Sequence, residues 1–212
     1  MSGSFISPEL RARVRGLMVP IAVGLGRLGF TPNGLTLVGF GIAIIAAILA
    51  GLQLWFPAGL LVVFGGVFDL FDGGLARATG QVSRLGGFMD SVFDRWGEGV
   101  VYVGVVIGCL FADFDWGVIL TAAAMTSAFM VSYTRAKAEN QGFTPGSGMA
   151  EVGLAPREVR IAILTIGMLL TGGMASTTPL AIALGLIAFL GTITTIQRIV
   201  VTWNQARHPE QG

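Results

Sequence analysis

Residues 55–112 read WFPAGLLVVFGGVFDLFDGGLARATGQVSRLGGFMDSVFDRWGEGVVYVGVVIGCLFA. Two apolar runs flank a short polar stretch, and each carries a pair of carboxylates beside it: Asp69 and Asp72 close the first run, while Asp90 and Asp94 open the second. A run of about 20 apolar residues crosses a bilayer as a helix. Charged groups inside such a run are costly and mark a working site by default. Spacings of three and four residues keep each pair on one helical face. Counted inward from the connection between Arg77 and Arg84, Asp69 and Asp94 lie at similar depths, about 12 to 15 Å by helical rise. Antiparallel neighbours joined there would bring the four carboxylates to one level.

The rest of the chain extends this pattern. Its 212 residues are 53% hydrophobic and 12% charged, with a mean hydropathy of +0.77, whereas soluble domains carry roughly 25% charged residues. Six stretches reach or approach a spanning length: Asn33 to Gly51, Trp55 to Leu75, Gly87 to Ala112, Trp116 to Lys137, Arg157 to Gly173 and Pro179 to Trp203. Ahead of them, Pro8 to Gly29 sets Arg11, Arg13 and Arg15 against Leu10, Val14 and Leu17, the pattern of an interfacial amphipathic helix rather than a cleavable signal. The predicted fold is therefore an all-α integral membrane protein of six transmembrane helices preceded by an N-terminal interfacial amphipathic helix. It reads as one domain over residues 1–212, with the interfacial segment to about residue 31, the bundle over 32–203 and a polar tail over 204–212.

Six spans place both termini on one side. All 13 basic residues then fall on that side, and the opposite turns around Gln53, Asp113 and Ser176 hold none. By the positive-inside rule the termini and the carboxylate site face the cytoplasm. A net charge of +1 gives no field to attract nucleic acid. Cys109, in an apolar run, reads as packing, and His208 as a solvated tail residue.

Four carboxylates converging in a low-dielectric site repel unless protonated or bridged by cations. With all-oxygen ligands and no His or Cys alongside, Mg²⁺ or Mn²⁺ is the natural partner, and such ions leave positions for phosphate oxygens. Spacing alone also suits pairing with Arg77, Arg84 and Arg95, or an aspartate-lined cation path in a transporter. Against the transporter, the chain holds no second copy of the aspartate string.

The whole string is Asp69-x-x-Asp72-Gly73-x-x-Ala76-Arg77, eight residues, then Gly86-x-x-x-Asp90-x-x-x-Asp94. It resembles, without a departure, the signature of the CDP-alcohol phosphotransferase family. Pro32-Asn33-x-x-Thr36 at the entry to the first span is similar too. The resemblance implies that an acceptor hydroxyl attacks the lipid-side phosphorus of a CDP-linked lipid donor and displaces CMP. It implies that Asp69, Asp72, Asp90 and Asp94 hold one or two Mg²⁺ or Mn²⁺ ions, with Asp94 also the general base. Pro32, Asn33, Thr36, Asp69, Gly73, Ala76 and Arg77 would contact the nucleotide or donor phosphates, and a homodimer is expected.

The acceptor is read from Ser132-Tyr133-Thr134-Arg135-Ala136-Lys137-Ala138-Glu139 and from Arg157 and Arg160. Cations at a cytoplasmic mouth suit a dianionic acceptor. The pattern resembles the subgroup that makes phosphatidylinositol phosphate, or its archaeal ether-lipid counterpart. Ser132, Arg135, Lys137, Arg157 and Arg160 are then the expected acceptor contacts. Residues 146–156 depart from that subgroup's Glu-Arg-Pro-Glu-Arg pattern, which leaves glycerol 3-phosphate open as acceptor.

Overall fold

The computed structural model describes residues 20, 21, 23–143 and 148–207, and at 67, 69, 70 and 151 the backbone alone. Six long helices fill these residues: α1 (Pro32–Gly51), α2 (Trp55–Ala78), α3 (Arg84–Phe111), α4 (Asp115–Asn140), α5 (Arg157–Met174) and α6 (Thr178–Arg207). A single 3₁₀ turn, Met149–Glu151, interrupts the link between α4 and α5, and the described residues contain no strand. The amphipathic helix expected over residues 8–29 lies mostly outside the described residues; residues 23–27 are helical and end at Gly29, whose φ is +93°.

Local chemistry sets the helix starts. Thr31 caps α1 by accepting from the Gly34 N–H at 3.1 Å, with Pro32 in the first turn, where its missing N–H has no bond to lose. Ser83 caps α3 by accepting from the Gly86 N–H at 3.0 Å. That cap starts α3 three residues earlier than its apolar run, because helix geometry continues into the polar zone where hydropathy has already fallen. At the other end of the bundle the reversals are short, and Gln53, Asp113 and Ala175 take positive φ values of 62°, 51° and 49°.

The helices close into a ring whose order differs from the chain order. α1 lies against α2 and α3, α2 against α5, α5 against α6, α6 against α4, and α4 against α3. Thus α2 and α3, which carry the aspartates, are not the direct packing partners expected of a hairpin: α1 lies between them. Its seam with α3 is made of small residues. A Cβ on Gly104 would strike the Ala47 backbone, and one on Gly108 would strike the Ala50 carbonyl and the Trp55 ring. Such small-x-x-x-small faces let membrane helices approach closely.

The interior holds Ala46, Ala50, Val105, Leu164, Met168 and Ile187 among its buried side chains, and Cys109 is buried with them. Large apolar side chains also cover the outside, among them Ile45 and Ile48 on α1, Leu60 and Phe64 on α2, and Ile182 and Phe189 on α6. A surface of this kind suits lipid. Helices α1, α2, α4 and α6 are each long and apolar enough to cross a membrane. The other two are joined to each other by ion pairs: α3 carries Asp94 and Glu98, and α5 opens on Arg157 and Arg160.

Candidate active site

Because α1 separates α2 from α3, a cleft remains between them, walled by α1, α2, α3 and α5. Thr36 and Phe40 line it from α1, Gly65 and Gly66 from α2, Asp94 and Glu98 from α3, and Arg157 from α5. Phe40 meets Phe93 edge-on at 5.1 Å between ring centroids.

On the α2 side, Asp72 is buried, 5% exposed, and accepts from Thr36 Oγ at 2.8 Å. Its other oxygen accepts from the Gly73 N–H. Hence α1 fixes the orientation of this carboxylate. At Gly73 an added Cβ would sit 3.3 Å from Arg77 Nη1, so the absent side chain leaves room for the guanidinium. Asn33 reaches the start of α3, where a Cβ on Gly86 would lie 3.4 Å from its Oδ1. Pro32 occupies the first turn of α1, and Ala76 is half-buried near the end of α2. Asp69 lies on α2 one turn before Asp72; its side chain is outside the described set.

On the α3 side, Asp90 is half-buried. Asp94 is ion-paired with Arg157 at 2.8 Å and lies 3.7 Å from Arg95. One turn deeper, Arg160 donates twice to Glu98, Nε to Oε1 at 3.0 Å and Nη2 to Oε2 at 2.9 Å, and once to the Ala155 carbonyl at 3.0 Å. The two pairs form parallel rungs, since Asp94 and Glu98 are four residues apart on α3 and Arg157 and Arg160 three apart on α5. Bidentate geometry and the third acceptor satisfy the buried guanidinium, which is 1% exposed.

Arg160, expected as an acceptor contact, directs three N–H groups to Glu98 and the Ala155 carbonyl. Arg135 and Lys137 sit on the exposed end of α4, where Arg135 pairs with Glu139 at 3.0 Å. Ser132 bonds back to the Ala128 carbonyl at 3.2 Å within the same helix. Arg157 is thus the expected acceptor residue that the fold brings directly to an aspartate of the signature. Glu98 escaped the sequence reading, although Asp90-x-x-x-Asp94-x-x-x-Glu98 places it on the same face of α3.

Among the described residues no three His, Cys, Asp or Glu side chains stand close enough to share a metal ion. The donor chemistry does fit a hard divalent cation. The carboxylates of Asp72, Asp90 and Asp94 offer oxygen alone, and the single cysteine is buried in the core.

A family model described as CDP-alcohol phosphatidyltransferase matches residues 30–203, which cover all six helices but the last four residues of α6. The chain belongs to the CDP-alcohol phosphatidyltransferase family. It is 37% identical over 191 residues to the archaetidylinositol phosphate synthase of Pyrococcus horikoshii, covering 90% of this chain and 93% of that protein. With the phosphatidylinositol phosphate synthase of Mycobacteroides abscessus it shares 33% over 206 residues, 94% of this chain and 87% of that one. Among solved structures, the phosphatidylinositol phosphate synthase of Mycobacterium tuberculosis with CDP-DAG bound superposes with a TM-score of 0.78 at 30% identity, over 88% of this phosphatidyltransferase and 93% of that chain. The same enzyme in complex with manganese and citrate gives 0.79 at 30% identity, covering 88% of each chain. Membership makes the present chain a multi-pass membrane transferase of substituted phosphate groups.

Proposed function

We propose that this phosphatidyltransferase moves a phosphatidyl-type group from CDP-diacylglycerol or its ether analogue to inositol phosphate, releasing CMP. The observation that carries the reading is the Asp94–Arg157 pair on the cleft wall. It sets a proton acceptor beside an anion-binding cation, which suits an acceptor bearing both a hydroxyl and a phosphate. The names of the relatives support the same acceptor.

In the reaction, the acceptor oxygen forms a bond to the lipid-side phosphorus, the bond from that phosphorus to the CMP oxygen breaks, and Asp94 takes the hydroxyl proton. Arg157, ion-paired with Asp94 on the cleft wall, orients the acceptor through its charge and planar guanidinium. Thr36 holds Asp72 in place, and Arg77 beside Gly73 faces the donor phosphates, with Pro32, Asn33 and Ala76 contributing to the nucleotide wall. Asp69, Asp72, Asp90 and Asp94 would hold one or two Mg²⁺ or Mn²⁺ ions, which when bound neutralise phosphate charge and the departing CMP oxygen. Arg135 and Lys137 extend the cationic mouth, with Ser132 one turn before Arg135 on α4 and Arg160 one turn beyond Arg157 on α5 completing the acceptor set.

The reading includes six membrane spans in one domain, an interfacial N-terminal segment, cytoplasmic termini and site, and a homodimer. Pairing of Asp94 with Arg157 and of Glu98 with Arg160 supports α3 and α5 as spans, because paired charges are tolerated inside a bundle. The test is CMP release from CDP-diacylglycerol by purified protein with Mg²⁺ or Mn²⁺, across inositol phosphate, glycerol 3-phosphate, inositol and serine. Inositol phosphate is expected to give the highest kcat/KM. A preference for a neutral alcohol or for glycerol 3-phosphate would defeat the acceptor assignment, and absence of CMP release with every acceptor would defeat the reaction.

A further inference from the structure

The segment leading into Arg157 is held to α6 by a threonine that no part of the aspartate signature includes. Thr194 is fully buried. Its hydroxyl donates to the Leu190 carbonyl at 2.8 Å and accepts from the backbone N–H groups of both Leu154 and Ala155, each at 3.0 Å. A hydroxyl has one hydrogen and two lone pairs, so all its bonding capacity is used.

Neighbouring features point the same way. Gly153 has φ +117°, and a Cβ there would collide with the Thr194 side chain, so the strap rests directly on that residue. One turn along α6, buried Arg198 donates from Nε to the Val152 carbonyl at 3.0 Å. From the other face, Arg160 Nη1 reaches the Ala155 carbonyl at 3.0 Å. The strap 152–156 is therefore fixed immediately before the residue that meets Asp94.

We propose that Thr194 is a positioning residue for the transfer reaction: by anchoring the strap to α6 it sets the Arg157 guanidinium beside Asp94 and in line for the acceptor phosphate. The role rests on the reading of Arg157 as an acceptor contact. Losing the hydroxyl leaves the buried Ala155 N–H and the part-buried Leu154 N–H without their acceptor, so the strap lifts and Arg157 moves away from its place. The anchors of the strap, Arg160, Thr194 and Arg198, lie on α5 and α6, whereas the donor site is built on α1, α2 and α3.

The experiment compares Thr194→Val, which keeps the shape and removes the oxygen, with Thr194→Ser, which keeps the oxygen. Both are assayed in detergent with CDP-diacylglycerol and inositol phosphate, alongside Arg157→Ala. For Thr194→Val the acceptor KM is expected to rise about tenfold, equivalent to about 1.4 kcal/mol. Donor KM should stay within about twofold, while amide hydrogen exchange over residues 152–160 accelerates. Thr194→Ser should restore the acceptor KM. An unchanged acceptor KM in Thr194→Val, an equal rise in both KM values, or failure of serine to rescue would overturn the positioning role. If Arg157→Ala raises acceptor KM while Thr194→Val does not, the strap proposal falls and the acceptor reading stands. Should Arg157→Ala leave acceptor KM unmoved, the acceptor reading falls and, with no acceptor contact left to position, the role of Thr194 falls with it.

Discussion

At one end of the bundle the chain reverses through residues 52–54, 112–114 and 175–177, with neither Lys nor Arg in the turns. At the other end it runs through 79–83 and 141–156, and the aspartates and their arginines gather there. The backbone differs in kind as well. Non-glycine residues, Gln53, Asp113 and Ala175, take the positive φ values of the first end, whereas Gly80, Gly142, Gly148 and Gly153 take those of the second. A left-handed non-glycine residue costs about 1 kcal/mol, and a plain reversal tolerates it. Where the strap lies flat on α6, position 153 tolerates no side chain, because a Cβ there would strike Thr194. The contrast separates turns that only return the chain from loops that place chemistry.

The largest effects are therefore expected at the carboxylates of the loop-rich end. Asp69→Asn, Asp72→Asn or Asp90→Asn should each reduce CMP release below detection while the purified protein still elutes as folded material, since a neutral span inserts more readily. Asp94→Asn should lower kcat by about 10² to 10⁴, the range of one general base, with binding of the CDP-lipid better preserved. Near-normal turnover in any of the first three would break the comparison, and equal loss of donor binding in Asp94→Asn would make that residue chiefly a ligand.

The buried rung comes next. Arg160→Ala leaves Glu98 without its partner, and breaking a buried pair from one side costs about 3 to 5 kcal/mol. Thermal unfolding in detergent should show that loss, and Glu98→Ala combined with Arg160→Ala should recover part of it. A double variant no better than the single would mean that the rung contributes little beyond packing. The smallest effect belongs to the turn-rich end. Asp113→Gly relieves a left-handed residue but loosens the unfolded chain, so stability should stay within about 1 kcal/mol of wild type with kcat and both KM values unchanged.

Much of this contrast is legible in the sequence because it depends on local signals. The basic residues and the spacing of the four aspartates are short-range patterns, and the six helices begin and end near the bounds of the six apolar stretches. Helices α3 and α5 are harder to read by hydropathy alone, since their charges are neutralised by residues 62 positions apart in the case of Glu98 and Arg160. Ring order is equally hidden: a short link between α2 and α3 suggests direct contact, whereas the small faces of Gly104 and Gly108 draw α1 into that place. Thr194 gives no local signal at all. Thr192 and Thr195 bond their own i−4 carbonyls in the same way, and only the folded strap distinguishes their neighbour.

Ring order also bears on how the protein is made. During synthesis α1, α2 and α3 are made before α5 exists, so Asp94 and Glu98 arrive without the arginines that neutralise them from α5 in the finished fold. Contacts of such long sequence separation form late, because the intervening chain must first be ordered. The active cleft is thus completed by a helix translated after all of its carboxylates. A chain halted before α5 would leave two acidic groups of α3 without those counter-charges, a burden that distinguishes an unfinished protein from a finished one.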